Sequence, residues 1–106
     1  ATDDGLKRAR FLARALVAHD MIVVSGLAEG IDTAAHEAAM EMGGRTIAVI
    51  GTPLDQVYPR ENADLQARIA REHLVVSQFP PGTKTQPRSF PMRNRTMALL
   101  TDATVI

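Results

Sequence analysis

Residues 21–36 read MIVVSGLAEGIDTAAH. A short apolar, partly β-branched run meets two glycines four residues apart, and an alanine-rich stretch follows. MIVV (21–24) is too short for a helix and suits a parallel strand covered on both faces. From Ile31 to Met42 the residues Ala34, Ala35, Ala38, Ala39 and Met42 make a small-residue face that lets a helix lie close to a sheet. A strand that passes through a glycine turn into a closely docked helix is half of a βαβ unit, so the stretch points to an α/β fold.

The flanks repeat the alternation. Upstream, Leu6, Ala9, Leu12, Ala13, Leu16 and Val17 recur at helical spacing between Asp3 and His19, with Asp3 or Asp4 placed to cap the first turn. Downstream, Gly43 and Gly44 end the alanine-rich helix, and TIAVI (46–50) is a second buried strand. The turn-rich GTPLDQVYPREN (51–62) leads to a helix that Asn62 is placed to cap, running through Arg71 with Leu65 and Ile69 inward, and LVVSQF (74–79) is a third strand. FPPGTKTQPRSFP (79–91) holds too many prolines for regular structure; a helix then begins with Pro91 near its first turn, and ATVI (103–106) is expected as a fourth strand. This order predicts a Rossmann-like parallel sheet flanked by helices, with right-handed crossovers. Because the chain opens on a helix and closes on a strand, residues 1–106 read as a single partial domain, with a first strand and C-terminal strands expected outside it.

The composition excludes several classes of function. Twelve basic and twelve acidic residues cancel, so any case for nucleic acid must rest on local charge. With no cysteine there is no disulfide, thiolate metal site or thiol nucleophile, which fits a cytoplasmic protein. The apolar runs are far too short for a bilayer span. His19, His36 and His73 have no metal-ligand spacing, so no metal is expected, and packing with one hydrogen bond accounts for His36.

In parallel α/β sheets, ligands bind where strand ends lead into helix N-termini. Gly26 and Gly30 permit close backbone approach after the first strand, which suits an anion; simple turn glycines explain them equally well. The spacing is neither G-x-G-x-x-G nor a P-loop, so no nucleotide cofactor is expected. Ser25 lacks the context of a nucleophile. Glu29 and Asp32 could pair as acid and base, but Asp32 stands where a helix start favours an acidic residue. The interval between Glu72 and Asp102 carries Lys84, Arg88, Arg93 and Arg95 and no acidic residue, a basic island in a neutral chain. Arg93, Asn94 and Arg95 suit phosphate oxygens and Phe90 offers a ring for stacking; the bland alternative is that Phe90 anchors the loop while the arginines are solvated or pair with Asp55 and Glu61.

The series S-G-x-A-x-G-I-D, G-R-T-I-A-V-x-G, V-Y-P-x-E-N and F-P-x-R-N-R, from about Val24 to Ile106, resembles the DprA/Smf family of DNA-processing proteins. The resemblance implies a Rossmann-like domain that binds single-stranded DNA and helps load a RecA-type recombinase during natural transformation or recombination, without a catalytic cycle and as a homodimer in the full-length protein. Carried over by position, Ser25, Gly26 and Gly30 form a phosphate-facing turn, Phe90, Arg93, Asn94 and Arg95 line a basic pocket, and Lys84 and Arg88 stand at its rim. The chain departs from the family pattern in lacking the G-S-R turn expected ahead of its first helix, in placing Glu29 where arginine is common, and in placing Gln78 where an acidic residue is common. The rival reading is a nucleotide sensor or phosphoribohydrolase-like enzyme using Glu29 and Asp32. Its P-G-G-x-G-T-x-x-E motif is missing, Pro81-Gly82-Thr83 being the nearest approach.

Overall fold

The computed structural model describes residues 2–102. Along the chain run α1 (Asp3–Ala18), β1 (Val23–Ser25), α2 (Ile31–Glu41), β2 (Thr46–Ile50), a 3-10 turn (Arg60–Asn62), α3 (Ala63–Glu72), β3 (Leu74–Ser77) and α4 (Ser89–Leu100). The strands form a parallel sheet in the order β1-β2-β3, with Ser25 beside Ala48 and Ile50 beside Ser77. The α/β class and the parallel sheet agree with the sequence reading. The fourth strand expected at 103–106 lies outside the described residues.

Two apolar clusters hold the layers together. Leu27, Met40, Ala48, Ile50 and Ile69 join α2, β2 and α3, with Leu65 and Val75 packed against them. Ala13, Val23, Ala38 and Ala39 join α1, β1 and α2, with Leu16, Val17 and Ala35 beside them. Alternation along β2 puts Ala48 and Ile50 on one face and Val49 on the other. The helices α2 and α3 therefore cover the same face, as two successive right-handed crossovers in one direction require. Full burial of a side chain such as Ile69 stabilises the fold by about 1.5–3 kcal/mol.

Helix ends explain where the sequence reading and the structure part. Thr2, rather than Asp3 or Asp4, caps α1: its Oγ1 accepts from the Gly5 amide, while the two aspartates fill the first turn near the positive dipole end. At the other end Asp20 is left-handed (φ 59°), its amide bonded to the Val17 carbonyl and the Met21 amide to the Leu16 carbonyl. This is a Schellman motif with aspartate in the usual glycine position. Met21 and Ile22 thus belong to the helix exit rather than to the predicted strand, and stand exposed. Gly43 and Gly44 close α2 with the same two bonds, to Met40 and Ala39. Met42, predicted inward, is the C-cap and lies exposed, and Leu12 lies at the margin of the buried face of α1. The third strand stops at Ser77, and α4 starts at Ser89 with Pro91 inside its first turn.

Candidate nucleic-acid interface

The turn after β1 sits at the carboxyl edge of the sheet. Within it Leu27 adopts φ 59° while its side chain is wholly buried in the core. A left-handed residue between two others turns successive amides toward one point and makes a small anion cradle. The anion in this cradle belongs to the chain itself: Asp32 Oδ2 accepts from the Gly26 amide at 3.1 Å and from the Ala28 amide at 3.2 Å. The turn was expected to face a phosphate, but the Gly26 amide assigned to that role is engaged by the chain's own Asp32. The same bonds turn Asp32 Oδ2 back onto its own loop. Glu29 remains exposed beyond the cradle.

The turn is held from three directions. Asn62 stands at the N-cap of α3 as predicted, but its side chain makes no capping bond there and donates instead to the Leu27 carbonyl (2.9 Å) and to Thr33 Oγ1 (3.0 Å). Thr33 Oγ1 donates to the Ala28 carbonyl at 3.0 Å. Arg93 Nη1 donates to the Gly26 carbonyl at 2.6 Å and to the Val49 carbonyl at 3.2 Å. Asp32, Asn62 and Arg93 come from three different motif blocks and converge on one turn.

Arg93 is buried, its Nε donates to Asn94 Oδ1 at 2.8 Å, and its guanidinium carbon lies 5.7 Å from the centre of the Phe90 ring. Burial pulls its pKa below the ordinary value, and the Asp32 carboxylate opposes the shift. Gly26 has room only for hydrogen, because a Cβ there would stand 2.6 Å from Arg93 Nη1 and 3.0 Å from Asp32 Oδ2. Gly51, after β2, is constrained alike: its Cβ would meet Phe90 Cδ1 at 2.6 Å. The Phe90 ring thus lies directly on the backbone of the second strand-to-loop turn.

These contacts leave a pocket of about 340 Å³, lined by Gly26, Ala28, Glu29, Gly51, Tyr58, Pro59, Phe90 and Arg93. The rings of Tyr58 and Phe90 are 5.4 Å apart and tilted by 47°. Tyr58 is 64% exposed, and the peptide bond between it and Pro59 is cis. Tyr58 was absent from the predicted site. Its signal was present, as an aromatic residue directly before a proline in the loop after a buried strand.

The other predicted residues are distributed around this pocket rather than gathered in it. Successive helical residues diverge by about 100°, so Arg95 points nearly opposite to Arg93, and it is exposed. Asn94 is exposed on α4, and Lys84 and Arg88 are exposed on the preceding loop. Ser25 is half-buried at the end of β1, and Gly30 is the N-cap of α2 at φ 82°. The loop carrying Lys84 is tied to the sheet edge through Gln56, whose Nε2 donates to the Thr83 carbonyl (3.4 Å) and whose Oε1 accepts from Thr85 (3.1 Å). Among the described residues the ion pairs are Arg68–Glu72 and Arg71–Glu72 on α3, so pairing of the basic island with Asp55 or Glu61 is not seen. Among them no cluster of His, Cys, Asp or Glu could hold a metal ion, and no helix is long and apolar enough to cross a membrane.

His36 lies outside the pocket, on α2. It is fully buried, with Nδ1 2.7 Å from Thr46 Oγ1, which donates onward to the Val23 carbonyl at 2.9 Å. Since that hydroxyl proton is committed to Val23, the His36 proton sits on Nδ1, and Nε2 is left without a partner. Desolvation holds the pKa down at about 4, with Asp32 opposing and His73 reinforcing the shift.

Comparison with known proteins places this geometry. The sequence profile described as DNA recombination-mediator protein A matches residues 1–106. The chain is 45% identical over 105 residues to Protein Smf of Synechocystis, covering 99% of this chain and 26% of that protein. It is 50% identical over 88 residues to DNA processing protein DprA of Streptococcus pneumoniae, covering 83% and 31% respectively. The X-ray structure of the pneumococcal DprA superposes with a TM-score of 0.87 at 47% identity, over 92% of this chain and 34% of that one. A solved structure of DNA processing protein A from Helicobacter pylori, described as giving insight into its single-stranded DNA binding mode, superposes at 0.83 and 32% identity, over 96% of this chain and 46% of that one. The chain thus spans about a quarter to a third of the length of these curated relatives.

Proposed function

The chain belongs to the DNA recombination-mediator protein A family, and from that premise we propose that it is the strand-holding part of a non-enzymatic single-stranded DNA-binding protein. The observation that carries the reading is the pocket at the carboxyl edge of β1 and β2, walled by the tilted pair Tyr58 and Phe90. A nucleobase stacks on an exposed aromatic face regardless of its identity, so such a wall serves a sequence-tolerant binder. Phosphates are met by the exposed cations Lys84, Arg88 and Arg95, with Ser25, Gly30 and Asn94 at the edge of the path. Gly26 and Arg93 act by keeping the turn and the Phe90 ring in place. The single-stranded DNA binding of the Helicobacter pylori relative supports the ligand class. Family membership extends the reading to loading of a RecA-type recombinase, to a homodimer of the whole protein and to a cytoplasmic setting.

The test is fluorescence anisotropy of a labelled dT oligonucleotide with the full-length protein at two salt concentrations. Affinity should fall with salt with a log–log slope of about −0.7 per neutralised phosphate. Tyr58→Ala should cost about 1–3 kcal/mol of binding with little change in melting temperature. Salt-independent binding, or full affinity in Tyr58→Ala, would overturn the reading.

A further inference from the structure

The outward face of α1 carries a second concentration of charge. Lys7, Arg8, Arg10 and Arg14 surround Phe11 and line a concavity of about 430 Å³. On a helical projection Phe11 points directly away from the inward face formed by the buried Ala13 and the half-buried Leu6, Ala9, Leu16 and Val17, with Lys7 and Arg14 on its side one turn before and after. Phe11 is 75% exposed. No acidic residue occurs between Asp4 and Asp20, and among the described residues none of the four cations has an ion pair or a side-chain hydrogen bond. In a chain of zero net charge, one third of the basic residues outside histidine occupy eight consecutive positions.

The helix also starts at the edge of the molecule that holds the pocket. Ile31 Cδ1, from the first residue of α2, lies 3.6 Å from where a Gly5 side chain would begin, and at the far end Val17 packs over Gly44. The helices α1 and α2 therefore run in the same direction, and the first turns of α1 flank the carboxyl edge of the sheet.

We infer that the outer face of α1 is a second contact for single-stranded nucleic acid, in which Lys7, Arg10 and Arg14 hold backbone phosphates and Phe11 receives a base. This rests on the strand-binding reading of the pocket and extends it to a strand long enough to leave the pocket and cross the helix. Cations spaced around an exposed ring match the alternation of phosphate and base along an unpaired strand. An acidic protein surface would use the charges without the ring.

The experiment compares a short dT oligonucleotide, sized to the pocket, with one several times longer, on the full-length protein and on a Lys7→Gln/Arg10→Gln/Arg14→Gln variant, with Phe11→Ala measured separately. Losing three phosphate contacts should weaken the long oligonucleotide by about tenfold at moderate salt and flatten its salt slope by about 2, with the short one unchanged. Phe11→Ala should weaken the long oligonucleotide alone. Equal affinities and slopes for wild type and variants would overturn this second contact while leaving the pocket standing. So would loss of poly-L-glutamate binding in the triple variant with DNA binding intact. Failure of the wild type to bind either oligonucleotide would overturn the pocket reading, and this one with it.

Discussion

The Arg93 guanidinium reaches across 67 positions of sequence to the carbonyl of Gly26, at 2.6 Å. This bond joins the start of α4 to the turn after β1, and Gly26 lacks a side chain because the guanidinium stands where one would be.

Replacing Arg93 by alanine strands two carbonyls and opens a void under Phe90. We expect a stability loss of about 2–4 kcal/mol in chemical denaturation. Gly26→Ala should be comparably damaging, and the double variant should cost clearly less than the sum, with a coupling of at least about 1 kcal/mol. Additive losses would show that the two positions do not share one space.

Asp32 fills the cradle formed by the Gly26 and Ala28 amides. Asp32→Ala should destabilise by about 1–3 kcal/mol, because two part-buried donors lose a charged acceptor. The vacated cradle then accepts a solvent anion. Added sulfate should therefore raise the melting temperature of Asp32→Ala more than that of the wild type, and equal shifts would contradict the assignment.

His36 sets a pH dependence of known sign. Its folded pKa of about 4 lies below the unfolded value of 6.5, so the unfolded state takes up the proton first as pH falls. Stability from this residue is complete above about pH 6.5 and is lost progressively toward pH 4. Melting curves between pH 7 and 4.5 should show the decline, and His36→Gln should lessen its steepness over that window.

Asp20 holds a left-handed conformation at the end of α1. Glycine adopts it without the Cβ penalty, so Asp20→Gly should stabilise the protein by roughly 0.5–1 kcal/mol. Thermal melts of the two proteins decide the point, and a lower melting temperature would count against the Schellman geometry.

The elements were legible because their apolar periods are clean: TIAVI can only be a covered strand, and the alanines of α2 repeat at helical spacing. Their ends were less so, since Thr2 and Asp20 act through single hydrogen bonds that periodicity does not register. At the site, composition located the basic island but not its geometry. Arg93 and Arg95 look equivalent as letters, yet helical phase sends one into the core and the other to solvent. Nothing local could show that Asp32 folds back to its own turn or that the Asn62 side chain reaches Leu27 instead of making a capping bond on α3, because both depend on elements meeting across the sheet.

Leu27 belongs to two things at once. Its main chain shapes the turn facing the pocket, and its side chain is locked among Met40, Ile50 and Ile69. The turn therefore has no private motion: to reshape it around a guest, the protein would have to pull a residue out of its interior. The Gly26 and Ala28 amides, both bonded to Asp32, should exchange with solvent slowly, and a guest has to conform to this side of the pocket.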